Sequence, residues 1–431
     1  MTKKLIFLSM LIFPAMLSAI TLDQAIEKAY KNNLLIKSTK EDVNQAKYGK
    51  ISAISNFIPD VTVNGMYTRL NEAPYMTMPA MVPGQSPTQI TVGNINNWDG
   101  KLQVQQPIFT WGKILQGYKI ASTQLKISEL KYAAIRDSIA VQVINSYYGV
   151  IVTKEFSELM DNTIKDMSEH VDAVKKMYNE GIASKLDLLN AETQLANLLP
   201  QRNSSHNAHD LALKGFRMLL GSIDDTTIYP EGALKFMNRK ISEDTLKTVM
   251  YENNRSLKIL NYTEQIAERG LVMAKTSNLP TLIGAFAYEY KWPNGISEEW
   301  KGGWAVSAVL SWNLFNGGKS YSDIKTAKSR LEQIRIAKRQ LKDGLDMGLH
   351  SLVNSYNKAI EDINAQKLNV EKAKEGLDIA KTQYEQGVIT NTDYLDAEVG
   401  LMQANLNLLQ AEYSAISNYY QIQYLTGNVN F

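Results

Sequence analysis

Alternation of apolar and polar residues along the chain predicts two pairs of β-strands. The alternation has a period of two, which places successive side chains on opposite faces of a strand. Its clearest apolar members are Leu102, Val104 and Ile108 in the first pair, and Phe286, Tyr288, Tyr290, Trp292, Trp304, Val306, Ala308, Leu310, Trp312 and Leu314 in the second. We predict strands at about 60–71, 98–109, 280–292 and 300–315, each with one apolar and one polar face.

Steps of three and four between apolar residues predict very long helices after each strand pair. In the first half the pattern runs from about Lys113 to Met177, which is ~97 Å at ~1.5 Å per residue. The most regular stripe consists of Val399, Met402, Leu406, Leu409, Tyr413, Ile416 and Tyr420. This spacing is typical of coiled-coil packing, so we interpret the stripes as core. Pro200 stands where the second half has Leu406, and we expect it to bend its helix.

Each pair of long helices is predicted to turn at a glycine, Gly181 in the first half and Gly387 in the second. A hydroxyl residue followed three positions later by an aspartate comes next in both halves, as Ser184 with Asp187 and as Thr390 with Asp393. This is a capping-box pattern, which restarts a helix after a glycine turn. We predict two long helical hairpins, at about 112–221 and 317–427.

An internal repeat relates the two halves of the chain. Tyr30 and Tyr251 are 221 residues apart, as are Pro59 and Pro280. From Trp98 onward the separation is 206 residues, and the matched pairs include Trp98 with Trp304, Phe109 with Phe315, Tyr178 with Tyr384, Gly181 with Gly387 and Asp187 with Asp393. We predict two structural repeats, 20–230 and 231–431, each with a helix, two strands and a long hairpin. The separation falls from 221 to 206 because the first repeat has extra residues between Pro59 and Trp98. They lie in a proline-rich segment, which predicts an irregular loop.

The first 19 residues have the pattern of a secretory signal peptide. Lys3 and Lys4 precede a short apolar run that ends near Ala19, so we expect the mature chain to start near Ile20. Beyond it no stretch approaches the ~20 apolar residues of a membrane-spanning helix, so any membrane-spanning structure of the mature chain must be a β-barrel. Two strand pairs are too few, because small barrels need about eight strands, and we therefore expect an oligomer.

Composition excludes several classes of function. The formal net charge of +2 falls to zero without Lys3 and Lys4, which argues against nucleic acid as a partner. The chain contains no Cys, which excludes disulfides and thiolate chemistry and suits an oxidising compartment. Neither a Gly-rich phosphate loop nor a Ser/His/Asp arrangement is present, so we predict neither an enzyme nor a bound cofactor.

The order of these features resembles the TolC family of outer-membrane efflux channels over essentially the whole mature chain. Two short motifs, each present in both halves, carry the resemblance beside the signal peptide and the repeat. Phe-x-x-Gly-Lys follows the second strand at Phe109 and Phe315, and Tyr-x-x-Gly at Tyr178 and Tyr384 is followed six residues later by Asp. Neither motif is specific alone, and the resemblance rests on their order.

The resemblance implies a mixed α and β membrane protein of the bacterial outer membrane. It implies a homotrimer with a twelve-stranded barrel, four strands from each chain, continued by an α-helical coiled-coil tunnel into the periplasm. The partners implied are outer-membrane lipid, a periplasmic adaptor protein and an inner-membrane transporter of the proton-driven or ABC type. The expected function is a passive, gated conduit of a tripartite efflux or type I secretion system, and the cargo stays open.

The resemblance also implies a periplasmic gate. Its aspartates match Asp393 and Asp396, which share one helical face and in a trimer would form two stacked acidic rings. Asp187 is the first-repeat equivalent of Asp393, and each of the two residues also fits a simple capping role. Tyr384 matches a gate aromatic, although it fits equally a tyrosine that packs within its hairpin. The family has an arginine two residues after the glycine, and this chain has Ile389 there. The chain therefore departs from the family at this part of the gate.

Two further surfaces follow from the resemblance and from the strand pattern. The adaptor is expected to dock on the hairpin turns, at Gly181, Ile182, Ser184, Gly387, Val388 and Thr390. Aromatic girdles are expected at the two membrane interfaces, with Trp292, Trp304 and Trp312 as members. Trp304 and Trp312 are eight residues apart, which corresponds to roughly 20 Å along the membrane normal in a tilted strand.

Several alternatives remain. The strands also fit a soluble sandwich with an aromatic core, and the helices fit a coiled-coil surface protein that transports nothing. A passive porin needs many more strands per chain than the pattern provides. Soft-metal binding is weakly suggested by two groups of residues, which are His206 with His209, and Met76, Met78 and Met81. Neither group has a complete ligand set, so no metal site is predicted.

Overall fold

The computed structural model describes residues 18–80, 84–236, 238–239 and 241–428. The predicted signal peptide up to Leu17, Met81 and the final Phe431 lie outside these residues. The helices are α1 (Leu22–Asn32), α2 (Leu34–Ser55), α3 (Lys113–Asn179), α4 (Lys185–Leu219), α5 (Glu243–Asn253), α6 (Arg255–Thr276), α7 (Lys319–Glu385) and α8 (Asn391–Thr426). The strands are β1 (Ser18–Ile20), β2 (Asp60–Arg69), β3 (Tyr75–Met78), β4 (Thr88–Thr91), β5 (Asn96–Phe109), β6 (Ile228–Pro230), β7 (Thr281–Trp292) and β8 (Lys301–Ser311).

The chain divides into two compact units. Unit 1 contains the residues up to Glu41, Leu130–Lys258 and the residues from Arg339 onward. Unit 2 contains Asp42–Glu129 and Ile259–Lys338. Within the part of the chain that the structure describes, no helix combines the length and the apolar content that a membrane crossing requires.

Unit 2 is built on a four-stranded antiparallel sheet with the order β2, β5, β7, β8. The register places Val63 opposite Leu102, Leu102 opposite Tyr288, and Tyr288 opposite Trp304. One face of the sheet is therefore apolar and aromatic across all four strands. The other face carries a polar row, made of Asn64, Lys101, Glu289 and Gly303.

The strands differ from the sequence predictions most at the end of β8 and in the proline-rich loop. The last strand stops at Ser311 because its partner β7 begins at Thr281, which pairs with Ser311. Trp312 and Leu314 therefore lie beyond the strand in which they were predicted. The proline-rich loop of the first repeat contains a short hairpin, because β3 and β4 pair with each other in antiparallel register.

Unit 1 is helical apart from the short parallel pair β1 and β6. Its largest core cluster consists of apolar side chains from α1, α3, α4 and α8, including Ile26, Ile144, Phe216 and Ile416. A second cluster is centred on Met250, Leu349 and Tyr356, and a third on Met160, Leu198 and Tyr394. The helix α4 continues without a break through the exposed Pro200.

Two equivalent contacts join the start of each half to its end, and we call them the terminal contacts. In the first, Asn33 Nδ2 donates to Leu219 O at 3.0 Å, and in the second Asn254 Nδ2 donates to Leu425 O at 2.9 Å. A glycine lies two residues after each accepting leucine, Gly221 with φ 65° and Gly427 with φ 69°. A Cβ on Gly427 would lie 2.7 Å from Asn253 O, and one on Gly221 would lie 2.8 Å from Asn32 O. Only glycine fits both the backbone conformation and the space.

Candidate functional site

The two hairpins of unit 1 turn with the same backbone geometry. Gly181 has φ 78° and Gly387 has φ 71°, and both conformations favour glycine. The next residue bonds back to the helix, since Ile182 N donates to Met177 O at 2.8 Å and Val388 N donates to Gln383 O at 2.9 Å. The side chains of Ile182 and Val388 are 72% and 66% exposed, so each turn presents an apolar tip to its surroundings.

A capping box starts the second helix of each hairpin, as the sequence pattern predicts. Ser184 N donates to Asp187 Oδ2 at 3.1 Å, and Asp187 N donates to Ser184 Oγ at 3.1 Å. Thr390 N donates to Asp393 Oδ2 at 2.9 Å, and Asp393 N donates to Thr390 Oγ1 at 3.2 Å. The bond from the Thr390 side chain holds the pKa of the Asp393 carboxyl below its usual range. Ser184 and Thr390 are therefore the N-caps, and Asp187 and Asp393 are the third helical residues that complete each capping box.

Asp396 lies one turn further along α8 and is exposed. Its spacing of three from Asp393 places both carboxylates on one face of the helix. The capping box is complete without Asp396, so helix capping gives no reason for its charge. Its first-repeat equivalent, Asn190, is uncharged.

Tyr384 packs beside the tips and is partly buried. Its ring lies 5.2 Å from the His170 ring and 5.8 Å from the Tyr394 ring, measured between centroids. Burial raises the pKa of the Tyr384 hydroxyl, and the Asp187 carboxylate adds to this effect. The neighbouring Ile389, at the position of the family arginine, packs against the core cluster of Met160 and Leu198.

The structure adds three buried polar residues that sequence reasoning missed, His170, Asn391 and Glu398. His170 Nε2 lies 2.7 Å from Asn391 Oδ1, and Asn391 Nδ2 donates to Asp187 O at 3.0 Å. Tyr394 OH donates to Glu398 Oε1 at 3.0 Å. His170 follows Met160, Thr163 and Met167 in steps of three and four, so its place in an apolar stripe was the available signal.

The three tryptophans predicted for the girdle occupy different positions in unit 2. Trp304 is 71% exposed on the apolar face of β8, opposite Tyr288. Trp292 ends β7 and pairs with Trp98 of β5. Trp312 lies past the sheet, where its Nε1 donates to Asn278 O at 3.1 Å.

The two weak metal suggestions do not come together into sites. His206 Nε2 lies 3.1 Å from Asp161 Oδ1, whereas His209 Nδ1 lies 3.3 Å from Thr153 Oγ1. Met76 and Met78 are exposed on β3. Met81, the third methionine of this group, is not among the described residues. Across the described ranges, no three His, Cys, Asp or Glu side chains are grouped closely enough to hold a metal ion.

Comparison with known proteins identifies the family. Residues 25–222 and 249–428 match the sequence model of the family described as outer membrane efflux protein. Outer membrane protein TolC of Escherichia coli is 24% identical over 448 aligned residues, covering 99% of this chain and 86% of that protein. Alkaline protease secretion protein AprF of Pseudomonas aeruginosa is 21% identical, covering 76% of this chain and 69% of that protein.

Solved structures share the fold at low sequence identity. The Campylobacter jejuni CmeC outer membrane channel superposes with a TM-score of 0.80 at 16% identity, covering 94% of this chain and 85% of that chain. The outer-membrane channel OprN superposes with a TM-score of 0.81 at 15% identity, covering 95% of this chain and 90% of that chain. The family match covers most of the chain in two segments, one in each half. This chain therefore belongs to the outer membrane efflux protein family and is an outer-membrane protein.

Proposed function

We propose that the protein is a gated export channel, built as a homotrimer, of a tripartite efflux or type I secretion system. Three copies of the sheet form a twelve-stranded barrel in the outer membrane. The long hairpins form a helical tunnel in the periplasm. The channel itself is passive, and an inner-membrane transporter of the proton-driven or ABC type supplies the energy.

The observation that carries this proposal is the exposed apolar face of the sheet. Val63, Trp304, Val306 and Leu310 lie on it and are between 67% and 77% exposed. A soluble protein rarely leaves such a large apolar surface in water, whereas lipid is a suitable partner for it. The polar face, with Lys101 and Glu289, suits the water-filled interior of a barrel.

The edges of the sheet support the oligomer. Among the described residues, β2 pairs only with β5 and β8 pairs only with β7. Unpaired backbone groups cannot face lipid, so a sheet in a membrane must close on itself. Four strands are too few for closure, and β8 of one copy beside β2 of the next completes the barrel.

An internal duplication explains the similarity of the halves. The terminal contacts of Asn33 and Asn254, the two glycine turns and the two capping boxes recur in the same order. We assign the repeats to 20–230 and 231–431. The turns then provide six equivalent tips in a trimer, where a periplasmic adaptor docks on exposed residues such as Ile182 and Val388.

The gate of the channel is formed by the acidic rings of Asp393 and Asp396 at the periplasmic tips. A ring of carboxylates in a narrow pore selects cations. Asp396 carries the clearer functional signal, because Asp393 also caps α8.

The test is the single-channel conductance of the purified oligomer in a planar bilayer. We expect a small, cation-preferring conductance in the wild type. Asp396→Asn and the double variant with Asp393→Asn should raise the conductance or lose the cation preference, because the rings lose their charge. Asp224→Asn is the control, since it removes an exposed carboxylate from the loop after α4 and should retain both properties.

Two outcomes would contradict parts of the proposal. Unchanged conductance and selectivity in the double variant would remove the gate assignment and leave the channel standing. No conductance from a folded, membrane-inserted oligomer would contradict the channel itself and favour a coiled-coil surface protein.

A further inference from the structure

His170 occupies an apolar position in unit 1 although its side chain is ionisable. It continues the buried stripe of α3 that contains Met160, Thr163 and Met167, and it is itself only 7% exposed. A polar ring in such a place is costly unless its nitrogen atoms are bonded. The structure supplies that bond from Asn391, which is 2% exposed and is the first residue of α8.

The bonds of Asn391 determine which atom of His170 carries the proton. The Asn391 amide nitrogen donates to Asp187 O, so its oxygen is the atom that faces His170 Nε2. An amide oxygen only accepts, and His170 Nε2 must therefore carry hydrogen in the neutral ring. The chain of two bonds joins α3, α8 and the first turn of α4.

Burial of His170 disfavours a charged ring, and two tyrosines cover it. Tyr394 stacks on it with centroids 4.1 Å apart, and Tyr384 lies on α7 at 5.2 Å. Burial lowers the pKa of His170, while its bond to Asn391 acts in the opposite direction. The titratable and charged groups around this position are Asp166 on α3, Asp187 on α4, Lys381, Tyr384 and Glu385 on α7, and Tyr394 and Glu398 on α8.

The bonded segment is also the one that carries the proposed acidic rings. Asn391 precedes Asp393 by two residues and Asp396 by five, all within the first two turns of α8. Asn391 therefore determines where this end of α8 lies against α3 and α4. A displacement of Asn391 by His170 would therefore move both aspartates, because all three lie on the same short segment of helix.

We propose that His170 and Asn391 are positioning residues of the gate, holding the start of α8 against α3 and α4 and releasing it when His170 gains a proton. This inference rests on the channel function proposed above. Nε2 already donates to Asn391, so the added proton binds Nδ1 and places a positive charge on a ring that is only 7% exposed to water. In this proposal the bonded arrangement is the closed gate, and it then loses stability relative to one in which water reaches the ring.

The direction of the pH effect follows from the lowered pKa of buried His170. The closed arrangement is fully favoured above the ordinary His pKa of about 6.5 and is weakened as the pH falls below it. Glu398 acts in the opposite sense, because burial raises its pKa and protonation at low pH suits its buried place. Asp393 stays ionised near pH 5.5, since the bond from Thr390 lowers its pKa.

The experiment compares the conductance of the full oligomer in planar bilayers at about pH 7.5 and about pH 5.5, which lie on either side of the His pKa. The wild type should conduct more at the lower pH. Because pH 5.5 lies about one unit below the ordinary His pKa, protonation of His170 shifts the opening equilibrium by up to about tenfold between the two pH values. His170→Gln keeps an amide donor for Asn391 but does not titrate, so its conductance should stay low at both pH values. Asn391→Ala should conduct more at both.

Two controls separate this effect from other titrations. His206→Gln changes a histidine that is 44% exposed and bonds to Asp161, and it should retain the wild-type pH response. Glu398→Gln removes the opposing carboxyl and should enlarge the response. A second readout uses the absence of Cys from the chain: spin labels on Val388→Cys should move apart between copies at the lower pH, and should not do so when His170→Gln is added.

A wild-type pH response in His170→Gln would overturn the inference, as would an unchanged conductance of Asn391→Ala at the higher pH. A wild type that conducts equally at both pH values would contradict the release by protonation and leave the channel function standing. A folded wild-type oligomer that conducts at neither pH would contradict the channel function on which the inference rests.

Discussion

Single residues at the ends of helices determine much of this fold. The clearest are the glycines of the terminal contacts, where a left-handed backbone conformation coincides with close approach to a carbonyl oxygen. Gly427 has a left-handed φ of 69°. An added Cβ there would also lie only 2.7 Å from Asn253 O. Neither constraint can relax without moving the neighbouring helix end.

We therefore expect Gly427→Ala to destabilise the protein by about 1–3 kcal/mol, from the left-handed conformation and the steric contact. The measurement is the thermal unfolding midpoint of the purified oligomer. Gly400→Ala in the same helix is the matched control, because nothing lies within 4 Å of its Cβ position. It should be neutral or stabilise by up to ~1 kcal/mol, and equal effects of the two changes would contradict this explanation.

At this scale local motifs were predictable and distant partners were not. The capping boxes at Ser184 and Thr390 follow from spacing alone, because both partners of each bond lie within three residues. His170 and Asn391 are 221 residues apart, and no local pattern relates them. His170 lies in a buried stripe of α3, and the spacing of that stripe does not reveal its hydrogen bond to Asn391.

At the scale of elements, Pro200 is the least expected feature of the helices. The helix α4 extends from Lys185 to Leu219 without interruption, and the bend at Pro200 stays a prediction. A proline inside a helix loses one backbone hydrogen bond and crowds the preceding turn. Since Pro200 is exposed, its ring contributes little packing in return.

Pro200→Ala should accordingly stabilise the protein, by up to ~3 kcal/mol if the helix is otherwise unchanged. Its thermal unfolding midpoint should rise. Gln201→Ala, at the next exposed position of α4, controls for the general effect of alanine and should change the midpoint little. A lower midpoint for Pro200→Ala would indicate that the proline packs against a neighbouring copy.

The ends of helices and strands could be predicted closely where a periodic pattern stops at a glycine. The long helix predicted from about Lys113 to Met177 is observed as Lys113–Asn179, with Gly181 two residues beyond its end. The strand predicted to reach residue 315 ends at Ser311, because alternation continues past the point where β7 has residues to pair with. Pairing is a property of two segments, so one segment alone does not reveal its end.

At the scale of the whole molecule, the two faces of the sheet decide how the protein meets its environment. Val306 and Ser307 are neighbours on β8, and both are exposed in a single chain. Exposure does not distinguish the faces, whereas the register does: Val306 pairs with Phe286 on the apolar face, and Ser307 pairs with Ala285 on the other.

Val306→Lys should reduce insertion into the outer membrane, because a lysine on the lipid face costs about 2–4 kcal/mol at the midplane. Ser307→Lys is the matched control and should insert normally, since its side chain faces the water-filled interior in the proposed barrel. The measurement is the amount of oligomer in the outer-membrane fraction. If the two lysines were tolerated equally, the assignment of the apolar face to lipid would be wrong.

The terminal contacts also bear on the order in which the chain can assemble during its synthesis. The first joins residues 186 apart and has both partners once Leu219 has been made, before any residue of the second half exists. All strands of the four-stranded sheet have been synthesised once Ser311, the last residue of β8, has been added. The second contact can form only after Leu425 has been added. The two contacts close loops of 186 and 171 residues, whose entropic costs are nearly equal because the cost grows only with the logarithm of length. Timing, and not loop entropy, therefore separates the closure of the two halves.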